Sequence, residues 1–507
     1  MAKRIFYYSI ILVICLFNIN TSNSNEKTLR IGLSGLPPSL GNPYSSMGLP
    51  SGHFWRSIYD ALTSISSNGE VLPSLAKSWE QKDDKRWVFN LRDDIFFHNN
   101  RHLKAYSIEN IFLFLKSKKA QHLYISNELK NIKTIKAISD FEFEIITHEP
   151  DLILPRRLSL IMITEYDFWN EVGPNKYAIN PIGTGPFRFV KWGKGNNSVT
   201  LTSHKNNIRS SKNIGKLEIK SIPTALSREQ ALFADDIDLA ENINHDSIDQ
   251  IRSMNYEIQI HNRSVILSIA LPNTLDEKSP LNSYKVRQAL NYAVDKKSIS
   301  KYIFNGLVQP ASQGALEGTI GYDPTLKPFP YDPSKAKELL NEEGYINGFQ
   351  LNIAILQTRG SVQEFAFQKV QQDLILVGIK TLIRPIAPQE FINRFITNNW
   401  EDFNAFSLLW NNEPMRDVSR SVEYFSCLRP NPFFCDERIT KLIKKSKLKS
   451  SHKDRHIDLR NIMKELNEIA PSILLTSQPV ITASTNKLSS IKMEPSGLNF
   501  ESIIFEE

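Results

Sequence analysis

Cysteine is almost missing from this 507-residue chain, with three residues at positions 15, 427 and 435. So few cannot build a disulfide-dense scaffold or a four-cysteine metal cluster. The ten histidines are scattered and form no His-Glu-x-x-His pair, so no zinc-protease motif is present. Gly193-Lys194-Gly195 lacks the further glycine and Ser/Thr of a phosphate loop. Gly32-Leu33-Ser34-Gly35 stops short of a nucleophile elbow, because Leu36 stands where the second glycine belongs. No catalytic residue, metal-ligand set or cofactor site can be named, and an enzyme is not expected.

Long apolar runs are also lacking. The longest, 5–17, is shorter than the ~20 residues a helix needs to cross a bilayer. It follows the basic tip Lys3-Arg4 and precedes a polar stretch with small residues at Ser22 and Ser24. That order describes a secretory signal peptide, with cleavage expected after Ser24 and a periplasmic destination. Cys15 lies inside the apolar core after Val13 and Ile14, the wrong surroundings for lipoprotein processing.

The remaining 483 residues exceed what a single hydrophobic core encloses, so two large lobes are expected. They carry 59 basic against 54 acidic residues, a mild net charge of +5. The one local basic cluster, Lys441 to Lys453, has no interleaved aromatics and reads as a solvated helix face. Nucleic acid is therefore not an expected partner, and the chain is expected to be monomeric. Cys427 and Cys435 form an even pair in an exported chain and read as a disulfide closing a Pro-containing loop.

Hydrophobic periodicity outlines an α/β chain. Strands are expected over 29–33, 87–91, 141–146, 351–356, 379–383 and 406–410, with a hairpin around 193–195. Helices are expected over 54–62, 107–115 (capped by Ser107), 284–302, 335–340, 362–377 and 391–396. In the second half strands and helices alternate, which argues a sheet covered by helices.

Several segments, taken in order, resemble one family. They are Ile58-Tyr59-Asp60-Ala61-Leu62, Gly69-Glu70-Val71-Leu72-Pro73-Ser74-Leu75-Ala76-Lys77-Ser78-Trp79 and Trp87-Val88-Phe89-Asn90-Leu91-Arg92, then Phe97-His98-Asn99. Gly183-Thr184-Gly185-Pro186-Phe187 and Val286-Arg287-Gln288-Ala289-Leu290-Asn291-Tyr292-Ala293-Val294-Asp295 follow. Tyr331-Asp332-Pro333-Ser334-Lys335-Ala336, Leu339-Leu340, Gly344-Tyr345 and Val377-Gly378-Ile379 complete the set. The ordered set resembles the extracytoplasmic solute-binding proteins of peptide and nickel ABC transporters, family 5.

The resemblance implies a two-lobed periplasmic-binding-protein fold (type II, large peptide-binding class) with an extra subdomain in the first half. Lobe I is expected over 25–65, 180–283 and 485–507, the subdomain over 66–179, and lobe II over 284–484. Gly183 and Gly185 are expected in a lobe-to-lobe crossing. The implied function is capture of a small solute, a peptide foremost, by hinged closure and delivery to membrane permease and ATPase subunits. An opine, glutathione, a nickel chelate, haem or an oligosaccharide are alternative ligands, and a chaperone or receptor role is an alternative use of the clamp.

Two loops are candidates for ligand contact. In the family, the loop after the first strand lends main-chain groups to the ligand, which points to Tyr44, Met47, Gly48 and Leu49. The other follows an apolar strand, where α/β lobes bind ligands, and offers Trp410, Asn412, Glu413, Arg416 and Asp417. Peptide-binding relatives place an aspartate there against the ligand's α-amino group. Glu413 and Asp417 are both candidates for that role, and Arg416 could instead receive a ligand carboxylate or phosphate.

Overall fold

The computed structural model describes residues 27–46, 48–211, 213–357, 362–449 and 451–506. The expected signal segment, Cys15 and Met47 lie outside them.

Two large sheets organise the chain. The first has seven strands, in the order Tyr256–His261, Val480–Thr485, Leu239–Glu241, Lys27–Leu33, Ile214–Ser221, Ser198–Ser203 and Phe187–Trp192. Lys27–Leu33 runs parallel to Ile214–Ser221 and to Leu239–Glu241, while the flanking pairs are antiparallel. The second has five strands, in the order Lys380–Ile386, Gln350–Leu356, Ala405–Asn411, Val265–Ala270 and Ser472–Ser477. Gln350–Leu356 runs parallel to both its neighbours, and the helix Val362–Leu376 joins it to Lys380–Ile386, as a parallel crossover requires. All six residues of Val265–Ala270 are buried, as befits a strand covered on both faces.

A third sheet, of four antiparallel strands, builds the insert in the first half from Ala76–Asp83, Arg86–Leu91, Glu142–Thr147 and Ile132–Ser139. Glu142–Thr147 alternates buried and half-buried residues, and Phe143 stacks on Phe89 at 5.2 Å. The helix Ala105–Lys116 covers this sheet with Ile108, Ile111, Phe112 and Leu115, which share one helical face.

The chain passes between the two large sheets at 262–264 and again at 478–479. Tyr256–His261 pairs antiparallel with Val480–Thr485 on one side, and Val265–Ala270 pairs with Ser472–Ser477 on the other. The two connections thus form one ribbon. The sheet changes fall away from the divisions read at 283/284 and 484/485, because each connecting strand is continuous with a sheet strand that periodicity missed.

Several local expectations change. Gly183 and Gly185 are not at a crossing. A Cβ on either would lie 2.1 Å and 2.5 Å from backbone atoms of Ile58, so glycine is needed there for close backbone approach. The helix expected over 54–62 is Ser51–Ile58, and Tyr59 is already extended. Asp60 is instead drawn into a buried ion pair with Arg209 at 2.8 Å. The helix expected from Ser107 begins at Ala105, with Ser107 buried in its first turn. The helix expected over 284–302 breaks after Ala293, and the Asp295 carboxylate caps a new turn at the Ser298 N–H, 3.0 Å away. The Cys427–Cys435 disulfide is formed.

Candidate functional site

The strand Ala405–Asn411 ends at the boundary between the lobes, and the loop after it is stitched to the first crossing. The Asn412 N–H donates to the Ser264 carbonyl at 2.9 Å, and the Asn412 side-chain amide donates to the Gly314 carbonyl at 2.6 Å. The Ser264 N–H in turn donates to the Glu413 carboxylate. The other Glu413 oxygen pairs with Arg416 at 3.1 Å. Arg416 adopts the left-handed backbone region, with φ 49°, and returns its N–H to the Asn412 carbonyl at 2.7 Å.

Two of the expected ligand residues do other work, Asp417 in this loop and Trp410 in the strand before it. Asp417 is fully buried and held by Arg455 at 2.7 and 2.9 Å, so its carboxylate is committed within the second lobe. Burial opposes its ionisation, but Arg455 and the Ser419 N–H together lower its pKa to about 2. Trp410, expected at the ligand, is packed into the second lobe. It stacks on Phe425 at 4.4 Å, and its ring passes so close to Gly314 that a Cβ there would sit 1.9 Å from it. A small pocket beside it, lined by Asn291, Gln313, Phe329 and Met463, lies within that lobe.

The first lobe contributes residues that the sequence did not single out. His53, in the helix Ser51–Ile58, is fully buried and accepts the Leu498 N–H at its Nδ1, 2.9 Å away. Its Nε2 stands 3.6 Å from Glu241 and makes no hydrogen bond. Glu241 ends its strand and accepts the Ser34 N–H at 3.3 Å. Burial disfavours the Glu241 charge, yet His53, Arg228 and that N–H hold its carboxyl below the usual carboxylate range. Next to them, burial together with His53 lowers the pKa of His261 to about 4. Arg263, in the crossing itself, is lowered by burial, while Glu413 and Glu241 act in the opposite direction.

Residues from both lobes therefore meet at the crossing: His53 and Glu241 from one side, Glu413 and Arg416 from the other, Arg263 between them. The buried Arg416 Nε and Asn412 Oδ1 also have no hydrogen-bond partner. The insert in the first half covers the cluster. Arg156, in the helix Leu154–Leu158, donates to the Met415 carbonyl and, at 2.7 Å, to the Gly69 carbonyl. Gly69 has φ +85°, and a Cβ on it would stand 3.3 Å from that of Arg416. Glu128 of the insert reaches Arg420 of the second lobe at 3.4 Å.

The loop expected to contact ligand in the first lobe divides. Tyr44 is a core residue: its hydroxyl bonds to Thr164 at 2.8 Å and its ring meets Trp169 edge-on at 5.3 Å. Gly48 has φ +80° and open space around it, and its carbonyl accepts the Gly52 N–H at 2.8 Å. Leu49 is half-buried beside it.

The family profile described as bacterial extracellular solute-binding proteins, family 5 (middle), matches residues 70–431. The chain belongs to this family. Its members are solute-binding proteins, not an enzyme family. The chain is 27% identical over 355 residues to heme-binding protein A of Haemophilus influenzae, a match covering 64% of each chain. It is 29% identical over 365 residues to the nickel-binding periplasmic protein of Escherichia coli, covering 69% of this chain and 66% of that one. The match thus takes in just under two thirds of the length of these relatives. The dipeptide-binding protein of Escherichia coli matches at 24% identity over 510 residues, 93% of this chain and 92% of its own. Among solved structures, the periplasmic binding protein DppA from Helicobacter pylori, in complex with the peptide STSA, superimposes with a TM-score of 0.81. Its identity is 21%, and the match covers 95% of this chain and 98% of that one. The two-lobed family fold is therefore established. No helix among the described residues is long and apolar enough to cross a membrane.

Proposed function

We propose that this protein is the exported, periplasmic binding component of an ABC importer, that it captures a small solute between its lobes, and that it passes the solute to a membrane permease driven by an ATPase. The observation that carries the reading is the buried polar cluster at the crossing. His53 Nε2 on one lobe, and Asn412 Oδ1 and Arg416 Nε on the other, make no hydrogen bond, and a ligand with polar groups would supply the partners. Catalysis is not part of the reading. Closure on the solute would bias an open–closed equilibrium that a permease can sense.

A peptide is the ligand we favour. Glu413 follows Trp410 by three residues, and its carboxylate uses one hydrogen bond and one ion pair, leaving lone pairs for an ammonium group. The match to a dipeptide-binding protein over most of both chains supports this choice. Native mass spectrometry and thermal-shift assays on the protein mixed with a tryptic casein digest, intact or N-acetylated, test it. Retention of short peptides from the intact digest alone is expected; equal retention from both would remove Glu413 from the role.

A further inference from the structure

The lysine cluster from Lys441 to Lys453 is a surface feature that neither the core nor the crossing uses. The helix Glu437–Lys447 buries Ile439, Thr440, Ile443 and Ser446 on one side. Ile439 and Ile443 join a second-lobe core that also holds Leu459 and Met463 of the helix His452–Ile469. Lys441, Lys444, Lys445 and Leu448 stand at i, i+3, i+4 and i+7 on the opposite side. All four are exposed, Leu448 at 60%. The face is thus presented from a packed base.

Its charge is unbalanced. Lysines elsewhere on the surface are matched by acids, as Lys104 is by Asp140 at 2.8 Å and Lys335 by Glu338 at 2.7 Å. From 441 to 453 there are six lysines and no aspartate or glutamate. Lys447 and Lys449 reach outside the segment, to Glu423 and Asp458. Among the described residues, Lys441, Lys444, Lys445 and Lys453 make no hydrogen bond or ion pair. Lys441 stands three and four residues from Lys444 and Lys445, spacings at which like charges repel. The helix C-terminus favours Lys444 and Lys445, but it does not account for Lys441. Lys453 sits in the first turn of its own helix, where the macrodipole opposes a cation. An anion from outside the chain would relieve all four.

We propose that this face docks on the anionic headgroups of a phospholipid membrane. The inference goes beyond the solute-binding reading and needs it only to place the protein beside a membrane. Charge complementarity selects the occupant. Residues 441–453 hold no arginine, so no planar fork is offered to a particular carboxylate of a protein partner. Point charges on flexible stems suit a diffuse anionic sheet instead. The segment also holds no aromatic on which a base could stack, which disfavours nucleic acid. Leu448 stands among the lysines, and Ile457, 46% exposed, neighbours the Asp458 that Lys449 reaches at 3.5 Å. Apolar side chains set among cations enter the boundary between headgroups and acyl chains. None of the crossing residues lies on these two helices, so docking and solute capture use separate surfaces.

The test uses the whole secreted protein and sedimentation with vesicles, either pure phosphatidylcholine or phosphatidylcholine and phosphatidylglycerol in equal parts. Wild type is expected to bind the mixed vesicles at low salt, to leave them at high salt and to ignore the pure ones. Each lysine near such a surface contributes about 5-fold, so K441Q/K444Q/K445Q should weaken binding roughly 100-fold. L448S should weaken it less and keep the salt dependence. K82Q/K104Q/K335Q removes the same charge from other places and should bind as wild type does. Thermal melts confirm that each variant is folded. Wild type that fails to bind the mixed vesicles at low salt, or binds both kinds alike, overturns the inference. So does a folded K441Q/K444Q/K445Q that binds as wild type does, or an equal loss in K82Q/K104Q/K335Q. Binding to soluble polyglutamate without binding to vesicles assigns the face to an acidic protein and overturns it too.

Discussion

Asp417 and Arg455 form a two-point ion pair at 2.7 and 2.9 Å, with both side chains buried in the second lobe. The pair anchors the far end of the loop that carries Glu413 and Arg416, and it removes one of the two acids that could have met a ligand. D417N should leave Arg455 buried without its counter-charge, at a cost of about 3–5 kcal/mol. A fall in melting temperature on the order of 10 °C is expected by calorimetry.

The same pair sets a pH dependence. The Asp417 pKa is about 2 in the fold against 3.8 for a free side chain, so the folded state binds this proton less readily. Its contribution is complete above roughly pH 4 and is lost as the pH falls through about 2, an effect on the order of 2 kcal/mol. Urea melts of wild type and D417N between pH 5 and pH 2 should converge as the pH drops.

Arg156 ties the insert to the loop of the second lobe through the Met415 carbonyl, and holds the Gly69 carbonyl within the first half. R156A should loosen closure without unfolding either lobe. Hydrogen bonds from a charged donor are worth about 1.5–3 kcal/mol each, so ligand affinity should drop roughly 10- to 100-fold. Small-angle scattering should show a larger radius of gyration than wild type under the same conditions.

Gly314 lies against the Trp410 ring, with no room for a Cβ. G314A should force the indole off Phe425 and cost about 1–3 kcal/mol by overpacking. A shift in tryptophan emission together with a lower melting temperature checks it; unchanged emission would contradict the packing described.

The Cys427–Cys435 bridge closes a loop with a sequence separation of 8. Reduction, or a C427S/C435S double variant, should cost roughly 2–3 kcal/mol, as expected for so short a loop. Melts with and without reductant should differ for wild type and coincide for the double variant.

Elements with a strong period were legible from residue order. The strands over Trp87 to Leu91 and Phe141 to Ile146, and the Asp332 cap, stand close to where they were read, though Trp87, Val88 and Phe89 are all buried rather than alternating; the Asp332 carboxylate accepts the Lys335 N–H at 2.9 Å. Strands such as Ala76–Asp83 were not legible, because exposed charged and polar residues fill most of their positions. The candidate site was half legible. Glu413, Asn412 and Arg416 follow an apolar strand and could be found by position. His53, Glu241 and Arg263 sit in segments with no shared motif, separated by long stretches of chain, and only the pairing of strands across two sheets brings them together. Trp410 and Tyr44 pack among core aromatics, and an aromatic beside a loop has the same local signal in sequence whether it faces a ligand or a core.

The ribbon that joins the two sheets also orders the events of biosynthesis. Val480–Thr485 lies inside the seven-stranded sheet, between Tyr256–His261 and Leu239–Glu241, although it is among the last strands to be made. The second lobe, lying between the two crossings, can fold as soon as it emerges. The first must keep an open slot until residue 485 has emerged, so the chain cannot lock into its native form before export is nearly complete.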